Sequence, residues 1–329
     1  MDCTNKKEIR VVYGDYTLGV HGEGYDYIFS YAQGGLESIV KNGYEWLYRC
    51  PKPTFWRALT DNDRGSKFHI KSGNWIAADT FIDCIDIEVI TDGESQGKPI
   101  APDNNKYGSD VYASEVSVKF TYQTIINPTT TVIVTYTVNN KGNITVNVHY
   151  VGVKGLPELP VFGLRFIMPT LADKYIYNGL SGETYPDRKK GATKGIYEVD
   201  DLSLTPYIVP QECGVRMDVD WVEIVRHTSL NNARKDISPQ VLRLEKTDKE
   251  IAFSCLPYTA LEIENATHHE ELPPARRTVL CVYGAVRGVG GIDTWGSDVE
   301  EAYHIDAGKD ITYSFKICQA DVTDYEVIE

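Results

Sequence analysis

The chain has 329 residues, of which 33 are basic and 47 acidic, and its formal net charge at pH 7 is -14. Because the sequence contains no basic block, we expect no nucleic-acid partner and no binding to anionic membrane surfaces. The 22 tyrosines against 3 methionines favour β-strands over helix bundles.

Targeting and membrane signals are not visible. The N-terminal residues include no apolar stretch followed by a cleavage site, so we expect no secretory signal. No apolar run approaches the roughly 18 residues that a membrane-spanning helix needs. The seven cysteines are an odd number and are scattered without a C-x-x-C pair. This pattern is typical of reduced thiols, and we therefore predict a cytoplasmic protein with no membrane partner.

The first fifty residues predict short β-strands that break at glycines, with the strongest turn signals at Gly34-Gly35 and Asn42-Gly43. Further along, residues 114–151 show a clear period of two, in which apolar and polar side chains alternate around short turns. Such alternation predicts a meander of antiparallel strands, each with one buried face.

Residues 54–82, between these strand regions, are less regular. The polar run Asp61-Asn62-Asp63-Arg64, which ends at Gly65, predicts a loop with no secondary structure of its own. A short helix is expected from Asn74 to Phe81, because apolar residues recur there at helical spacing.

The second half of the chain mixes strands with one long irregular region. Residues 177–221 are rich in turn signals and poor in periodicity, and long loops inside compact domains are commonly functional or form interfaces. A hairpin is predicted over residues 239–256, one or two helical turns over residues 260–266, and strands over residues 276–286 and 310–317. No linker or repeat interrupts the chain. We therefore predict one all-β domain over residues 1–329, built as a large antiparallel β-sandwich.

The most distinctive stretch runs from Gly284 to Asp298 and reads GAVRGVGGIDTWGSD. Its glycines let the backbone bend sharply and approach other groups closely, which excludes a helix interior. Trp295 stands within it, and an indole on a loop can stack on the apolar face of a sugar while its N–H remains available to a hydroxyl. The alternative interpretation is a structural loop whose tryptophan closes one end of the sandwich core.

Complete catalytic motifs are not found. The sequence has no H-E-x-x-H, no P-loop, no dinucleotide-binding G-x-G-x-x-G and no G-x-S-x-G. Glycoside hydrolysis needs two carboxyl groups, and pairs such as Glu183 with Asp187 or Asp293 with Asp298 are available. So acidic a chain contains such pairs by chance, and no pair has a distinguishing context.

A metal site is not predicted either. The run His268-His269-Glu270-Glu271 would place its two histidines on opposite faces of a strand, so a solvated surface segment is the better interpretation. Asp61 and Asp63 resemble the start of a calcium loop. The pattern fails because Arg64 stands where a third oxygen ligand would fall.

Four sequence blocks occur in a fixed order: TFWRALTDNDRG, GLSGETYPDRK, TPYIVPQECGVR and GVGGIDTWGS. In this order and at this spacing they resemble the C-terminal domain of family 2 β-galactosidases. The resemblance runs from about Val11 to Ile317. Because the chain opens with its own methionine and carries no glycosidase barrel, it resembles the separate small subunit of the two-chain, lactobacillus-type enzymes.

The resemblance implies a supersandwich fold related to galactose mutarotases. It also implies retaining hydrolysis of terminal β-galactosides such as lactose, with transgalactosylation as a side reaction. The family's general acid and nucleophile are glutamates in the barrel of the large subunit, so no catalytic residue is expected in this chain. The family's magnesium and sodium ions bind mainly through the large subunit, and no cofactor is expected here. The implied partners are that large subunit and the galactoside substrate.

At the level of single residues, the resemblance assigns substrate contact to Trp295, which matches the tryptophan that the family's last domain inserts into the active-site mouth. Gly65 and Ser66 match the start of a mobile loop beside that site. Arg64 departs from the family pattern, in which a single-chain form carries an aliphatic residue there. The other candidates are expected to order loops or contact the large subunit, and they are Asp61, Asp63, Glu183, Tyr185, Asp187 and Arg188.

Other interpretations stay open at this point. A stand-alone aldose 1-epimerase of the mutarotase kind would need a general acid and a general base that converge on one sheet face. A non-catalytic carbohydrate-binding module would bind sugar without a partner. The chain could also be a domain excised from a longer protein, although its N-terminal methionine argues against this.

Overall fold

The computed structural model of the protein describes residues 8–100, 110–236, 238–293, 296–320, 323 and 325–328. Within these ranges the chain forms 21 β-strands, three short α-helices and three single turns of 3-10 helix. The strands, numbered β1 to β21 in chain order, group into sheets of six, ten and five strands. Every described strand pair is antiparallel, so the predicted all-β antiparallel fold class is confirmed.

The six-stranded sheet contains β1 (Ile9–Tyr13), β2 (Thr17–Gly22), β3 (Tyr25–Ser30), β4 (Gly35–Lys41), β5 (Tyr44–Glu45) and β9 (Val111–Ala113), in the spatial order β5-β4-β3-β2-β1-β9. The five-stranded sheet contains β6 (Arg49–Thr54), β13 (Val161–Met168), β16 (Val215–Val219), β19 (Ile251–Leu256) and β20 (Thr278–Val286), in the order β16-β19-β20-β13-β6. The ten-stranded sheet has the order β15-β14-β17-β18-β21-β12-β11-β10-β7-β8, and its strands are β7 (Asp83–Thr91), β8 (Glu94–Gly97), β10 (Glu115–Gln123), β11 (Thr131–Asn139), β12 (Ile144–Tyr150), β14 (Lys174–Leu180), β15 (Lys194–Val199), β17 (Trp221–Arg226), β18 (Gln240–Lys246) and β21 (Ile311–Ala320).

The predicted meander forms the centre of the ten-stranded sheet. Strands β10, β11 and β12 pair in sequence, and their apolar residues alternate with polar ones as expected. Phe120, Val134 and Val148 occupy one face and are fully buried, whereas Thr135 and Asn147 face the other side. The period of two therefore places one face of this sheet in the core.

The two smaller sheets pack on this same inner face. Phe29 of the six-stranded sheet lies 6.4 Å from Phe120, measured between ring centroids. Phe166 of the five-stranded sheet lies 6.1 Å from Phe315 of β21. The large sheet is thus one layer of a sandwich, and the two small sheets together make the other layer.

Two predictions around residues 61–81 are wrong. The predicted loop contains helix α1 (Asp61–Gly65), because Thr60 caps the helix and offsets its unfavourable polar composition. The helix expected from Asn74 to Phe81 instead begins earlier, as α2 (Phe68–Ser72), and continues as one 3-10 turn, Gly73–Trp75. Ala77 has φ of +59°, a left-handed conformation that ends any helical path.

The long region 177–221 is more ordered than predicted, because it contains the end of β14 and all of β15 and β16. Strand β15 is an edge strand with no fully buried residue, so it shows no alternation. Strand β16 has an irregular register against β19, which interrupts its period. The predicted helical turns near residue 260 are confirmed as α3 (Ala260–Asn265). The hairpin predicted over residues 239–256 is wrong, because β18 pairs with β17 and β21 in the ten-stranded sheet, whereas β19 pairs with β16 and β20 in the five-stranded sheet.

Candidate functional site

The glycine-rich segment follows β20 and lies over the outer face of the five-stranded sheet, the face that points away from the main core. Val279, Cys281 and Tyr283 of β20 face this side, and Val289 of the segment packs against their cluster. Leu280 and Val282, on the other face of β20, belong to the main core. The segment is therefore placed by the strand alternation that precedes it.

Helix α1 lies beside the segment and is fixed by a capping box. The Thr60 hydroxyl accepts a hydrogen bond from the backbone N–H of Asp63 at 3.1 Å, and the Asp63 carboxylate accepts from the backbone N–H of Thr60 at 2.9 Å. Two free N–H groups at the start of the helix are satisfied in this way. Because α1 has only five residues, this cap and its tertiary contacts hold it in place.

Asp63 also lies at the centre of a buried ion network. Its Oδ1 atom is 3.0 Å from Nη2 of Arg57 and 3.2 Å from Nη1 of Arg287, and all three side chains are only 1% exposed. Arg287 further binds Glu158 and Asp298. Buried charges of this kind are tolerated because each one is paired and hydrogen-bonded.

Asp298 connects this network to helix α2. Its carboxylate accepts a hydrogen bond from Nζ of Lys71 at 2.8 Å and also binds Arg287. Partial burial acts to raise the pKa of Asp298, but Lys71 and Arg287 outweigh burial and lower the pKa to about 2. Asp298 therefore stays ionised and joins α2 to the segment on which Arg287 lies.

Asp187 fixes the path of the glycine-rich backbone. Its carboxylate accepts hydrogen bonds from the backbone N–H of Val289 at 3.0 Å and of Gly290 at 2.8 Å, and its side chain is 7% exposed. Asn62 Nδ2 donates to the carbonyl of Val289 at 3.0 Å, and Arg57 Nη2 donates to the carbonyl of Gly288 at 3.0 Å. Two segments distant in sequence, residues 57–62 and the turn at Asp187, therefore hold residues 288–290.

Glycine is required at the base of the segment for two reasons. A Cβ atom at Gly288 would lie 2.9 Å from the carboxyl carbon of Asp187, which is closer than carbon atoms approach. Gly290 and Gly291 have φ of +74° and +83°, in the left-handed region that side chains disfavour. The sequence run of glycines is thus explained by close approach at one position and by backbone conformation at two.

The turn that carries Asp187 is ordered from both sides. Arg188 N–H donates to the carbonyl of Tyr185 at 2.8 Å, which closes the turn. Tyr185 is 5% exposed, and burial raises the pKa of its hydroxyl far above the usual range. Glu212 lies next to Tyr185 and Arg57, and burial raises the pKa of its carboxyl to about 7.

The remaining predicted residues lie around the same centre. Asp61 is largely exposed, and its backbone N–H donates to Oε1 of Gln211 at 3.0 Å. Glu183 is exposed and accepts from the hydroxyl of Thr205 at 2.5 Å. Arg188 is partly exposed and donates to the carbonyl of Asp187 at 2.9 Å. These three positions order loops, and whether they also meet a partner stays a prediction.

The predicted hinge pair lies at the end of α1. Gly65 is the last residue of the helix, and the Ser66 hydroxyl donates to the carbonyl of Asp63 at 3.3 Å. The left-handed conformation in this stretch falls on the next residue, Lys67, whose φ is +60°. Movement about Gly65 and Ser66 stays a prediction.

Trp295, the residue predicted to contact substrate, lies outside the described residues. Its described neighbours are held by Asp293, whose Oδ1 accepts from the backbone N–H groups of Gly296 at 3.3 Å and Ser297 at 3.2 Å. Asp293 is exposed. The role of Trp295 therefore stays a prediction.

In this structure, one carboxylate of each pair considered for catalysis makes structural contacts. Asp187 binds backbone N–H groups, and Asp298 is ionised between Lys71 and Arg287. Glu212 has the raised pKa of a general acid, but the cavity that it lines holds only about 20 Å³. That volume admits about one water molecule and excludes a sugar ring.

Sequence reasoning missed the buried arginines of the site. Arg57 follows Phe55 and Trp56 in an apolar run, and Arg287 directly follows the apolar strand β20. A basic residue inside an apolar run is a signal of a buried ion pair, since an unpaired one would be too unfavourable. The sequence alone does not identify the partner, because Asp63 is 224 positions away from Arg287.

Membrane-spanning character is not found in the described part of the chain, where no helix is long and apolar enough to cross a bilayer. The six cysteines that the structure describes are free thiols.

These features define an all-β sandwich protein with one anchored, glycine-rich loop. Among the described residues, the carboxylates considered for catalysis make structural contacts. The chain belongs to the β-galactosidase small-chain family, whose model matches residues 21–317. The family resemblance of the four sequence blocks is thereby confirmed.

Individual relatives agree with this family. A β-galactosidase small subunit from Latilactobacillus sakei is 58% identical over 317 residues, which cover 96% of this chain and 99% of the relative. A β-galactosidase from Halalkalibacterium halodurans is 36% identical over 315 residues, which cover 94% of this chain but 28% of that protein. Among solved structures, a galactose mutarotase related enzyme from Lactobacillus acidophilus matches at 11% identity and a TM-score of 0.38. The matched region covers 96% of this chain and 98% of that structure's chain. A likeness at this level says nothing about activity.

Proposed function

We propose that this chain is the small subunit of a two-chain β-galactosidase that hydrolyses terminal β-D-galactosides such as lactose, with retention and with transgalactosylation. The acid/base and nucleophile glutamates lie on the large subunit, and this chain completes the mouth of the active site. The observation that supports the proposal is the anchoring of residues 288–290 by Asp187, Asn62 and Arg57. A segment fixed at its base can present a side chain to a partner in one position.

The chemistry divides between the chains as follows. A retaining glycosidase uses two carboxyl groups about 5 to 5.5 Å apart, one as nucleophile and one as acid/base. In this proposal both belong to the large subunit, as do the magnesium and sodium ions. The small subunit contributes Trp295 as an apolar platform for the substrate or the acceptor sugar, and stacking of one ring stabilises binding by about 1 kcal/mol.

The decisive experiment measures hydrolysis of a chromogenic β-galactoside by this chain alone, by a family 2 large subunit alone and by the two mixed. We expect activity in the mixture, with co-elution of the chains on size exclusion, and none in this chain alone. Activity of the isolated chain would contradict the proposal. In that case the catalytic carboxyl groups would have to be sought among the residues of this chain.

The role of Trp295 needs a separate comparison. In the assembled enzyme, Trp295→Ala is expected to raise the Michaelis constant about fivefold, which corresponds to the loss of about 1 kcal/mol of stacking, and to reduce transgalactosylation. Trp295→Phe keeps an aromatic ring and should fall between the wild type and the alanine variant. Unchanged kinetics in a fully assembled Trp295→Ala enzyme would contradict substrate contact.

The two other functions give different results in the same assays. An aldose 1-epimerase would interconvert the anomers of free galactose without a large subunit, and polarimetry of the isolated chain detects this reaction. A carbohydrate-binding module would bind galactose alone in a calorimetric titration and would not change the activity of a large subunit. We expect neither result. A cytoplasmic location is part of the proposal, and fractionation of expressing cells tests it.

A further inference from the structure

A groove with basic side chains lies along β6, on the outer face of the five-stranded sheet. Two adjoining cavities of about 510 Å³ and 490 Å³ form it, and Tyr48, Arg49 and Ile167 line both. Of the lining residues, Val279 also belongs to the apolar cluster against which Val289 packs. We refer to these two cavities together as the β6 groove.

The charge of the β6 groove is opposite to that of the chain as a whole. Five cationic side chains line it against three carboxylates, on a protein whose net charge is -14. The cations are Arg49, Lys52, Arg165, Arg276 and Arg277, and the carboxylates are Glu37, Asp79 and Glu262. A positive groove on an acidic protein attracts an anionic ligand.

Two of these cations are available for a ligand. Arg165 is paired with Asp79 at 2.5 Å, and Arg277 donates to the carbonyl of Pro169 at 2.6 Å. In contrast, Arg49 and Arg276 have no carboxylate within 4.0 Å among the residues that the structure describes. A guanidinium group binds a carboxylate through two parallel hydrogen bonds, so each of the two offers a carboxylate site.

The lining of the β6 groove is suited to a protein segment. Tyr48 is 43% exposed, and the guanidinium of Arg277 lies 3.3 Å from its ring centroid. Tyrosine and arginine are among the residues most enriched where protein partners bind tightly. Pro257, Pro273 and Pro274 form part of the wall, and their restricted backbones lose little entropy when a partner binds.

Binding in this groove would occur through side chains and not by addition of a strand. Strand β6 lies at the edge of its sheet but contains Pro51 and Pro53, which have no backbone N–H to donate. The ligand must therefore bring its own charged groups to Arg49 and Arg276. This favours a segment with acidic side chains.

We propose that the β6 groove binds an extended, acidic segment of the β-galactosidase large subunit, whose carboxylates pair with Arg49 and Arg276. This inference rests on the proposed function. The β6 groove is then a second contact with the large subunit, separate from the Trp295 segment.

The test measures the affinity of the two chains at low and high salt for the double variant Arg49→Glu with Arg276→Glu. We expect the dissociation constant to rise roughly tenfold or more at low salt, and the difference from wild type to shrink at high salt. At saturating large subunit the variant should regain full turnover, because residues 288–290 are held by Asp187, Asn62 and Arg57 and not by Arg49 or Arg276. Arg49→Gln with Arg276→Gln is a second variant that removes the charges without reversing them.

A matched control has the same change in net charge elsewhere on the surface. Lys154→Glu with Lys249→Glu alters two exposed lysines, and Lys249 precedes β19 at the end opposite to the groove residue Pro257. Equal binding by the groove variants and wild type would overturn the inference, and so would equal weakening by the control. If the wild-type chains do not associate at all, the proposed function itself fails. If the wild-type chains associate and the groove variants bind the large subunit as tightly as the wild type does, the inference alone fails.

Discussion

The carboxylate of Asp187 lies 2.8 Å from the backbone nitrogen of Gly290, although 103 positions separate the two residues in the chain. The same carboxylate binds the N–H of Val289, so one side chain satisfies two successive backbone donors of the glycine-rich segment. A carboxylate binds N–H groups more strongly than a neutral acceptor does, so Asp187 anchors that segment firmly.

Replacement of Asp187 by Asn should loosen the segment without unfolding the chain. The amide keeps one acceptor oxygen but loses the charge, and we expect a loss of about 1–3 kcal/mol in the free energy of unfolding. In the assembled enzyme the Michaelis constant should rise towards that of Trp295→Ala, with a smaller effect on turnover. Urea denaturation and steady-state kinetics measure the two effects.

Asp306→Asn provides the control for Asp187→Asn. Asp306 also accepts a backbone hydrogen bond, from Gly308 at 2.9 Å, but it lies in an exposed turn where its ionic partner is Lys309. We expect its variant to change stability by less than about 1 kcal/mol and to leave the kinetics unchanged. Equal kinetic effects of the two variants would contradict the anchoring role of Asp187.

The two threonine caps of this chain allow a matched comparison. Thr60 caps α1 and Thr259 caps α3, each through the same capping box with an acidic residue three positions later. Thr259→Ala should lower the free energy of unfolding by about 1 kcal/mol, as exposed caps do. Thr60→Ala should lower it more, because the cap is buried and holds Asp63 between Arg57 and Arg287.

Chemical denaturation of both variants tests this difference. Asp63→Ala, which leaves two buried guanidinium groups without their common partner, should be the most destabilising, by about 3–5 kcal/mol. Equal losses in Thr60→Ala and Thr259→Ala would show that α1 does not depend on the ion network.

The stability of the chain should depend on pH through Glu212. Burial raises the pKa of its carboxyl from 4.5 to about 7, so the folded state binds this proton more tightly than the unfolded state. Its contribution to stability is therefore full below pH 4.5 and is lost as the pH rises to about 7. Glu212→Gln removes this titration, and the melting temperature should fall less steeply between pH 5 and about 7.5 than in the wild type.

Glu250→Gln is the control for the pH measurement. Hydrogen bonding of its own backbone N–H, together with Lys246, lowers the pKa of Glu250, so it does not titrate above its ordinary range. Its variant should have the pH slope of the wild type in this window. An unchanged slope in Glu212→Gln would show that Glu212 is ionised in the folded protein at neutral pH.

Gly288→Ala tests the close approach of backbone and carboxylate. The added methyl group would lie 2.9 Å from the carboxyl carbon of Asp187 and 3.0 Å from Cβ of Tyr303, so the segment must shift. We expect destabilisation of about 1–3 kcal/mol and kinetics like those of Asp187→Asn. Gly73→Ala is the control, because nothing lies within 4 Å of its added Cβ and its φ is negative. If the two alanine variants behave alike, the contact with Asp187 is unimportant.

Sequence periodicity predicted the strands that have one buried and one exposed face. Strands β10 and β11 alternate because the inner face of the ten-stranded sheet meets the core and the outer face meets water. Strand β15 was not predicted, because an edge strand with no fully buried residue shows no alternation of buried and exposed side chains. Helix α1 was not predicted, because its five residues include no apolar side chain with helical spacing. Its stability comes from the cap at Thr60 and from the contacts of Asp63 with Arg57 and Arg287.

The candidate site was predicted in part for a related reason. The family resemblance pointed to Asp63, Tyr185 and Asp187, and the structure brings all three to the base of the glycine-rich segment. Periodicity could not identify Arg57 or Arg287, because their charges are compensated by residues that are remote in sequence. Pairs of buried charges that are distant in sequence are only weakly indicated by the local sequence pattern.

The contacts that hold residues 288–290 join positions 102 to 231 apart in the chain. Contacts over such separations close large loops and form late in folding, after local strand pairs have formed. The segment can therefore take its shape only when the N-terminal third, the middle and the C-terminal part of the chain are all in place. A partner that recognises the ordered segment would select finished molecules from partly folded ones.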